Sequence, residues 1–251
     1  MRKRWIYRSL LVLPLSLSTT AGRAQQAPAD PLAAELRRQL ALIQREDQDG
    51  TGAEQLEGTT RQLVAYLKRH DVSAADARWL GLARTATAPG DAAELRVYTF
   101  DYDTGNPHGA ISHPVLQWKN RAGQRFAYSL AVHSAFFAVY PLSSSGRRLY
   151  LLLGTQKGSA GCLDYEARVV KLQGDYLLLD IPAFANAASL NLCNVPMTFD
   201  ARRQELQLDL LGFERFEPDD EAARLLQRWG YRRALPTRQL TLRFDGRRFG
   251  K

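Results

Sequence analysis

Two hydrophobic rhythms divide the chain. Through residues 30 to 82 apolar positions recur every three or four residues: Leu32, Leu36, Leu40 and Ile43, then Leu56, Leu63, Val64 and Leu67, then Trp79 with Leu80. That spacing puts each set on one face of a helix. Asp30 followed by Pro31 predicts a capped start, and Ser73 with Asp76 three residues on is a variant of the capping box. The polar stretch EDQDGTG separates the first helix from a second, expected from about Ala53 to Arg69. RTATAPGD then reads as a connector.

From Leu95 onward the period shortens to two. Segments rich in Val, Tyr, Phe, Leu and Trp predict strands near 95–102, 114–119, 125–132, 135–141, 148–154, 166–172, 175–181, 189–199, 205–211 and 238–244. NRAGQ, SSSGRR, LQGDY and FDARRQE supply turns between them. Such short links favour antiparallel neighbours, because parallel strands need crossovers of about a dozen residues. One helical insertion, within 219–230, interrupts the last part. The expected fold is α+β, mainly β: a helical N-terminal unit with its connector over 25–90, then an antiparallel β-meander over 91–251. The pattern fits an open sheet, a partly closed barrel or a sandwich equally well.

The first residues change the reading of charge. MRKRWIYRSLLVLPLSLSTTAGRA places Arg2, Lys3, Arg4 and Arg8 around a short apolar stretch, followed by small residues, which is the order of a secretory signal peptide over 1–24. The apolar core is shorter than the roughly 20 residues a membrane span needs, and no second run follows, so no span is expected after cleavage. An exported chain, periplasmic or extracellular, is the expectation. Residues 1–24 hold five basic residues and no acid, so their removal lowers the formal net charge from +8 to +3. A nucleic-acid partner argued from the high pI loses its ground, and none is expected. Residues 214–221 carry five acids, whereas 222–251 carry nine Arg or Lys against Asp245 alone. An envelope polymer, a peptide or another protein is the expected kind of partner.

RVYTFDYDTGNPHG, HPVLQWKN, RRLYLLLGT and the closing LTLRFDGRRF, within a stretch running from YLKRHD at 66–71 to the end, resemble a group of uncharacterised exported bacterial proteins. In that group a strand with an Asp-x-x-x-Gly turn precedes a long β-meander. The resemblance implies an exported β-rich protein and brings no activity or catalytic residue with it.

Candidate chemistry centres on LLLGTQKGSAGCLDYEARVVKLQGDYLLLD, which holds Cys162, one of two cysteines in the chain. A thiol nucleophile needs a base to ionise it and a pocket for the oxyanion. SAGC is similar to the Ser-His-Gly-Cys motif of the cysteine-dependent L,D-transpeptidases, although Ala160 stands where that family has His and Asp164 where it has Arg. On that reading His133 is the base. The alternative partner is Cys193, since disulfides form and persist in oxidising compartments. Closing a loop of this length contributes roughly 3.5 to 4 kcal/mol in the chain-entropy model. The disulfide is the expected state, with a pair of free thiols as the remaining option.

Two loops invite a cation. DQDGTGAEQLEG puts Asp47, Asp49 and Thr51 at the first, third and fifth positions of a calcium loop, yet position twelve is Gly58 rather than a bidentate carboxylate. FDYDTGNPHG alternates Asp101 with Asp103, but Gly105 comes one place early and Ser112 occupies position twelve. Polar turn chemistry explains both. His108, His113 and His133 with either aspartate would make a zinc set, without any HExxH spacing to support it. No cofactor is expected. Neither a G-x-S-x-G serine nor a phosphate loop is present, and Phe126, Tyr128, Phe136, Phe137 and Tyr140 fall at strand spacing, as core or as a face for sugar or peptide. The expected function is therefore a noncatalytic exported module that binds or builds within the cell envelope. The alternatives are a cysteine-dependent transpeptidase or hydrolase using Cys162 and His133, and a calcium-dependent module.

Overall fold

A computed structural model describes residues 30–44, 52–102, 110–158, 162–210, 221–230 and 239–251. The expected signal segment, the calcium-like positions Asp47, Asp49 and Thr51, and Asp103 and His108 lie outside these residues. Helix α1 (Pro31–Ile43) starts where the Asp30 carboxylate accepts a bond from the Leu32 amide at 2.9 Å. Its inward face is Ala33, Leu36, Leu40 and Ile43, while Leu32 points to solvent. Helix α2 (Gly52–Arg69) follows, and α3 (Ala74–Leu80) opens on the Ser73–Asp76 box made in both directions. Gly81, at φ 82°, ends α3 in the left-handed region that suits glycine.

The strands form three antiparallel sheets. The first runs in the order β1 (Ala83–Ala86), β2 (Arg96–Tyr102), β3 (Ile111–Lys119), β4 (Arg125–Ser129). The second holds β5 (Ala135–Leu142), β6 (Arg148–Lys157), β7 (Leu163–Gln173) and β8 (Tyr176–Leu178), with β9 (Ser189–Cys193) also paired to β7. The third is β10 (Met197–Asp200), β11 (Glu205–Asp209), β12 (Gln239–Phe244) and β13 (Phe249–Gly250), with helix α4 (Glu221–Arg228) between β11 and β12 in the chain. Among the described residues none of the sheets closes into a barrel, and no helix is long and apolar enough to cross a membrane.

Alternation along the strands stacks these sheets. Tyr98, Phe100, Val115 and Ala127 face the helices, and their neighbours Val97, Leu116 and Trp118 face the second sheet at Phe136, Val139, Tyr150, Leu152 and Val170. The opposite face of the second sheet, at Leu149, Leu151, Leu153 and Val169, packs on Leu206, Leu208, Leu240 and Leu242 of the third sheet and on Trp229. The order is helices, sheet, sheet, sheet. Strand β6 reads LYLLL without alternation because both of its faces are covered. A bulge in β5 leaves Phe137 outside, 51% exposed, and lets Phe136 and Val139 face the same core.

Two segments differ from the pattern reading. β1 lies in what reads as a connector, because a four-residue edge strand with Arg84 and Thr85 shows no apolar alternation. The expected strand 189–199 is two strands in different sheets, split where Asn194 adopts φ 52° and Pro196 follows.

Candidate functional site

The β7 register brings the two cysteines together. Asp164 lies opposite Cys193 across β7 and β9, so Cys162, just before β7, meets Cys193 in a disulfide with the Cα atoms 5.6 Å apart. The surrounding backbone closes on itself: the Gly158 amide donates to the Cys162 carbonyl at 2.9 Å, and Leu163 and Asn194 exchange bonds at 3.0 and 2.8 Å. Gly158 sits close here: a Cβ would stand 2.8 Å from Asp164 Oδ2 and 3.1 Å from the Cys162 carbonyl oxygen, so a larger residue would displace the Asp164 carboxylate. The sulfur has no proton to lose. Asp164 Oδ1 lies 3.0 Å from Cys162 Sγ, and a carboxylate at that distance would oppose a thiolate even after reduction.

Beside this turn, at one end of the first and second sheets, the described residues line a cleft of about 420 Å³. Asp101, Ala110, Ile111 and Ser112 line it from the first sheet's side, His133 and Ala135 from the chain entering β5, and Thr155 to Gly158 with Leu163 from the second sheet. Ser112 Oγ donates to Asp101 Oδ1 at 2.7 Å, which orients the carboxylate. Among the described residues no carboxylate stands within ion-pair distance of Lys157. Among the described residues the cleft thus carries one acid, one amine, an imidazole and neutral hydroxyl and amide groups around small apolar patches.

Of the candidate zinc set, His108 and Asp103 lie outside the described residues, and His113 and His133 form no group of three ligand-type side chains among those described. His133 lines the cleft, whereas His113 lies 5.2 Å from the Phe100 ring and 6.3 Å from Tyr102, centroid to centroid, with Nε2 2.7 Å from Ser129 Oγ. Burial pushes the pKa of His113 below its ordinary value, and the neighbouring His133 pushes the same way. Among the described residues the one close group of ligand-type atoms is Cys162, Asp164 and Cys193, whose two sulfurs are bonded to each other. The aromatic positions separate as well. Phe126 stacks on Trp118 and Tyr140 packs on Phe199, both as core, while Tyr128 and Phe137 are half exposed.

Pattern reading missed a buried polar cluster on the second sheet. Glu166, 2% exposed, accepts from Arg168 Nε at 2.6 Å and from Ser134 Oγ. Its signal was a charged pair, Glu166 and Arg168, flanking Ala167 just ahead of the buried Val169 and Val170. With the buried carboxylate satisfied by both partners, it holds the chain entering β5 against β7. Compared with known proteins, the chain matches no family model, and no curated protein or solved structure matches it.

Proposed function

We propose that the chain is a noncatalytic exported binding module whose ligand is a short peptide with free termini, held in the cleft between the first and second sheets. The observation that carries this reading is the presence of opposite, separately placed charges in one cleft: Asp101 on β2 and Lys157 on β6. Among the described residues Asp101 has one oxygen bonded, to Ser112, which leaves the other for an ammonium group, and Lys157 offers its charge to a carboxylate. Ala110, Ile111, Ala135 and Leu163 give apolar contact between those ends. A cleft of about 420 Å³ falls in the range of small-ligand sites, roughly 300 to 1,000 Å³. Export is supported by the basic, apolar, small-residue order of residues 1–24 and by a disulfide, which persists in oxidising compartments.

The enzyme reading draws on His133 lining a cleft that Leu163, the residue after Cys162, also lines. It needs a thiolate, and here the sulfur is bonded to Cys193 with a carboxylate beside it. Calorimetric titration of the nonreduced protein tests both readings. Tri-alanine with free termini is expected to bind, the N-acetylated, C-amidated form to bind about tenfold more weakly or worse, and Asp101→Asn to remove most of that preference. No binding of either peptide would overturn the module reading. An iodoacetamide-reactive thiol near neutral pH in the nonreduced protein would move the case to the enzyme.

A further inference from the structure

The opposite end of the same pair of sheets carries a second cleft. β6 runs ten residues from Arg148 to Lys157, so the two ends stand about 30 Å apart. At the Arg148 end three hairpin turns converge, joining β3 to β4, β5 to β6 and β7 to β8, around a volume of about 500 Å³. Arg121, Arg147, Arg148 and Lys171 line it, with Asp175 as the one acid. Asp175 accepts from Asn120 Nδ2 at 2.8 Å, Lys171 Nζ donates to Gln173 Oε1 at 2.8 Å, and Arg148 Nη1 reaches the Lys119 carbonyl at 3.4 Å.

The contrast with the adjoining surface is informative. Arg96, Lys119 and Arg125 are all matched by carboxylates, Asp71 taking all three and Glu94 taking Arg96 and Lys119. Among the described residues, none of the four cations of the cleft has a carboxylate within ion-pair distance. Like charges gathered around one concavity repel, and an anionic occupant turns that repulsion into attraction. Guanidinium forks match the planar geometry of carboxylates and the oxygens of phosphates. One aromatic adds to this. Tyr176, 74% exposed, flanks the cleft without lining it: it follows Asp175 in the chain and pairs opposite Gln173, so it shares a sheet face with Gln173 and Lys171.

We propose that this hairpin-end cleft binds an acidic polysaccharide, its carboxylates meeting the arginines and one sugar ring lying against Tyr176. A single exposed tyrosine beside clustered cations suits a sugar ring bearing an acid, whereas unspecific single-stranded nucleic-acid binding relies on a succession of stacking aromatics along a groove. The proposal stands on this cleft alone and does not rest on the peptide reading.

The test uses the full oxidised chain, with hexagalacturonate as probe and hexathymidylate as the competing polyanion. Hexagalacturonate is expected to bind at about 20 mM salt and to weaken as salt rises. The double variant Arg121→Gln, Arg148→Gln should weaken it by roughly tenfold or more. Tyr176→Ala should weaken it about threefold with the salt dependence unchanged. Both variants should keep the wild-type melting temperature. Absence of binding at low salt, equal affinity in the double variant, or hexathymidylate binding as tightly as hexagalacturonate would each overturn the proposal.

Discussion

His113 shows how far a side chain's role depends on the layer it faces. The sequence left it a weak zinc candidate without supporting spacing, because period-two alternation does not say which face of a strand is covered. In the fold it stands opposite Phe100, against aromatic rings and Ser129, with its pKa lowered by burial and then by His133. The unfolded chain, with histidine near 6.5, therefore takes up the proton first as pH falls. Stability is complete above that value and is lost as pH drops through it toward the folded pKa. Urea midpoints measured from pH 7.5 to 5.5 are expected to fall in the wild type and to flatten in His113→Phe. An unchanged slope in the variant would place the proton elsewhere. Asp71 contributes in a separate, more acidic window: its bond from Arg96 lowers its pKa, so its share holds above about 3.9 and goes as pH falls further. The cysteines were more legible than the histidine, since a count of two in a chain with an export-like leader already suggested pairing. Cys162→Ser and Cys193→Ser should each cost about 3 to 4 kcal/mol, from a loop with a separation of 31 residues. A reductant should lower the wild-type melting temperature toward theirs and leave both variants unmoved.

At the scale of elements, the helices and most strands followed from periodicity, and the failures have a common cause. β1 is an edge strand held by β2 rather than by its own pattern, and the break at Asn194 depends on a left-handed residue whose sequence signal is weak. Tertiary partners decide both. The same is true of the joint between the helical layer and the first sheet, where Gln117, 2% exposed, takes the place of a hydrophobic residue. Its amide nitrogen donates to the carbonyls of Leu67 and His70, the latter at 2.9 Å, at the end of α2. Tyr98 Oη lies 3.1 Å from its Oε1 and equally from the Val72 carbonyl, while Arg96 Nη1 reaches Oε1 at 3.3 Å. Carbonyls at a helix end have no partner within the helix, so a buried amide that meets two of them is worth more than its packing. Gln117→Leu keeps the volume and strands those carbonyls, and it should cost about 2 to 4 kcal/mol in denaturant unfolding. A loss under about 1 kcal/mol would mean that water replaces the amide there.

Across the whole molecule the second sheet is the common partner. It shares one core with the first sheet and another with the third, so neither outer layer keeps its packing if β6 and β7 come apart. The helices share their core with Tyr98, Phe100 and Val115 of the first sheet, whose reverse face is already committed to the second. A helical unit over 25–90 that folds by itself would leave those aromatic faces uncovered on separation. The chain is therefore expected to unfold as one cooperative unit. Leu67, on the inward face of α2, is fully buried, and Leu67→Ala should cost about 2 to 5 kcal/mol. In hydrogen exchange, that loss should reach the far side of the stack, so protection of β11 and β12 falls by the same factor, roughly thirtyfold or more, as protection of α2. If α2 loses protection while β11 and β12 keep theirs, the layers open separately, and the helical unit is a domain with its own stability despite the core it shares.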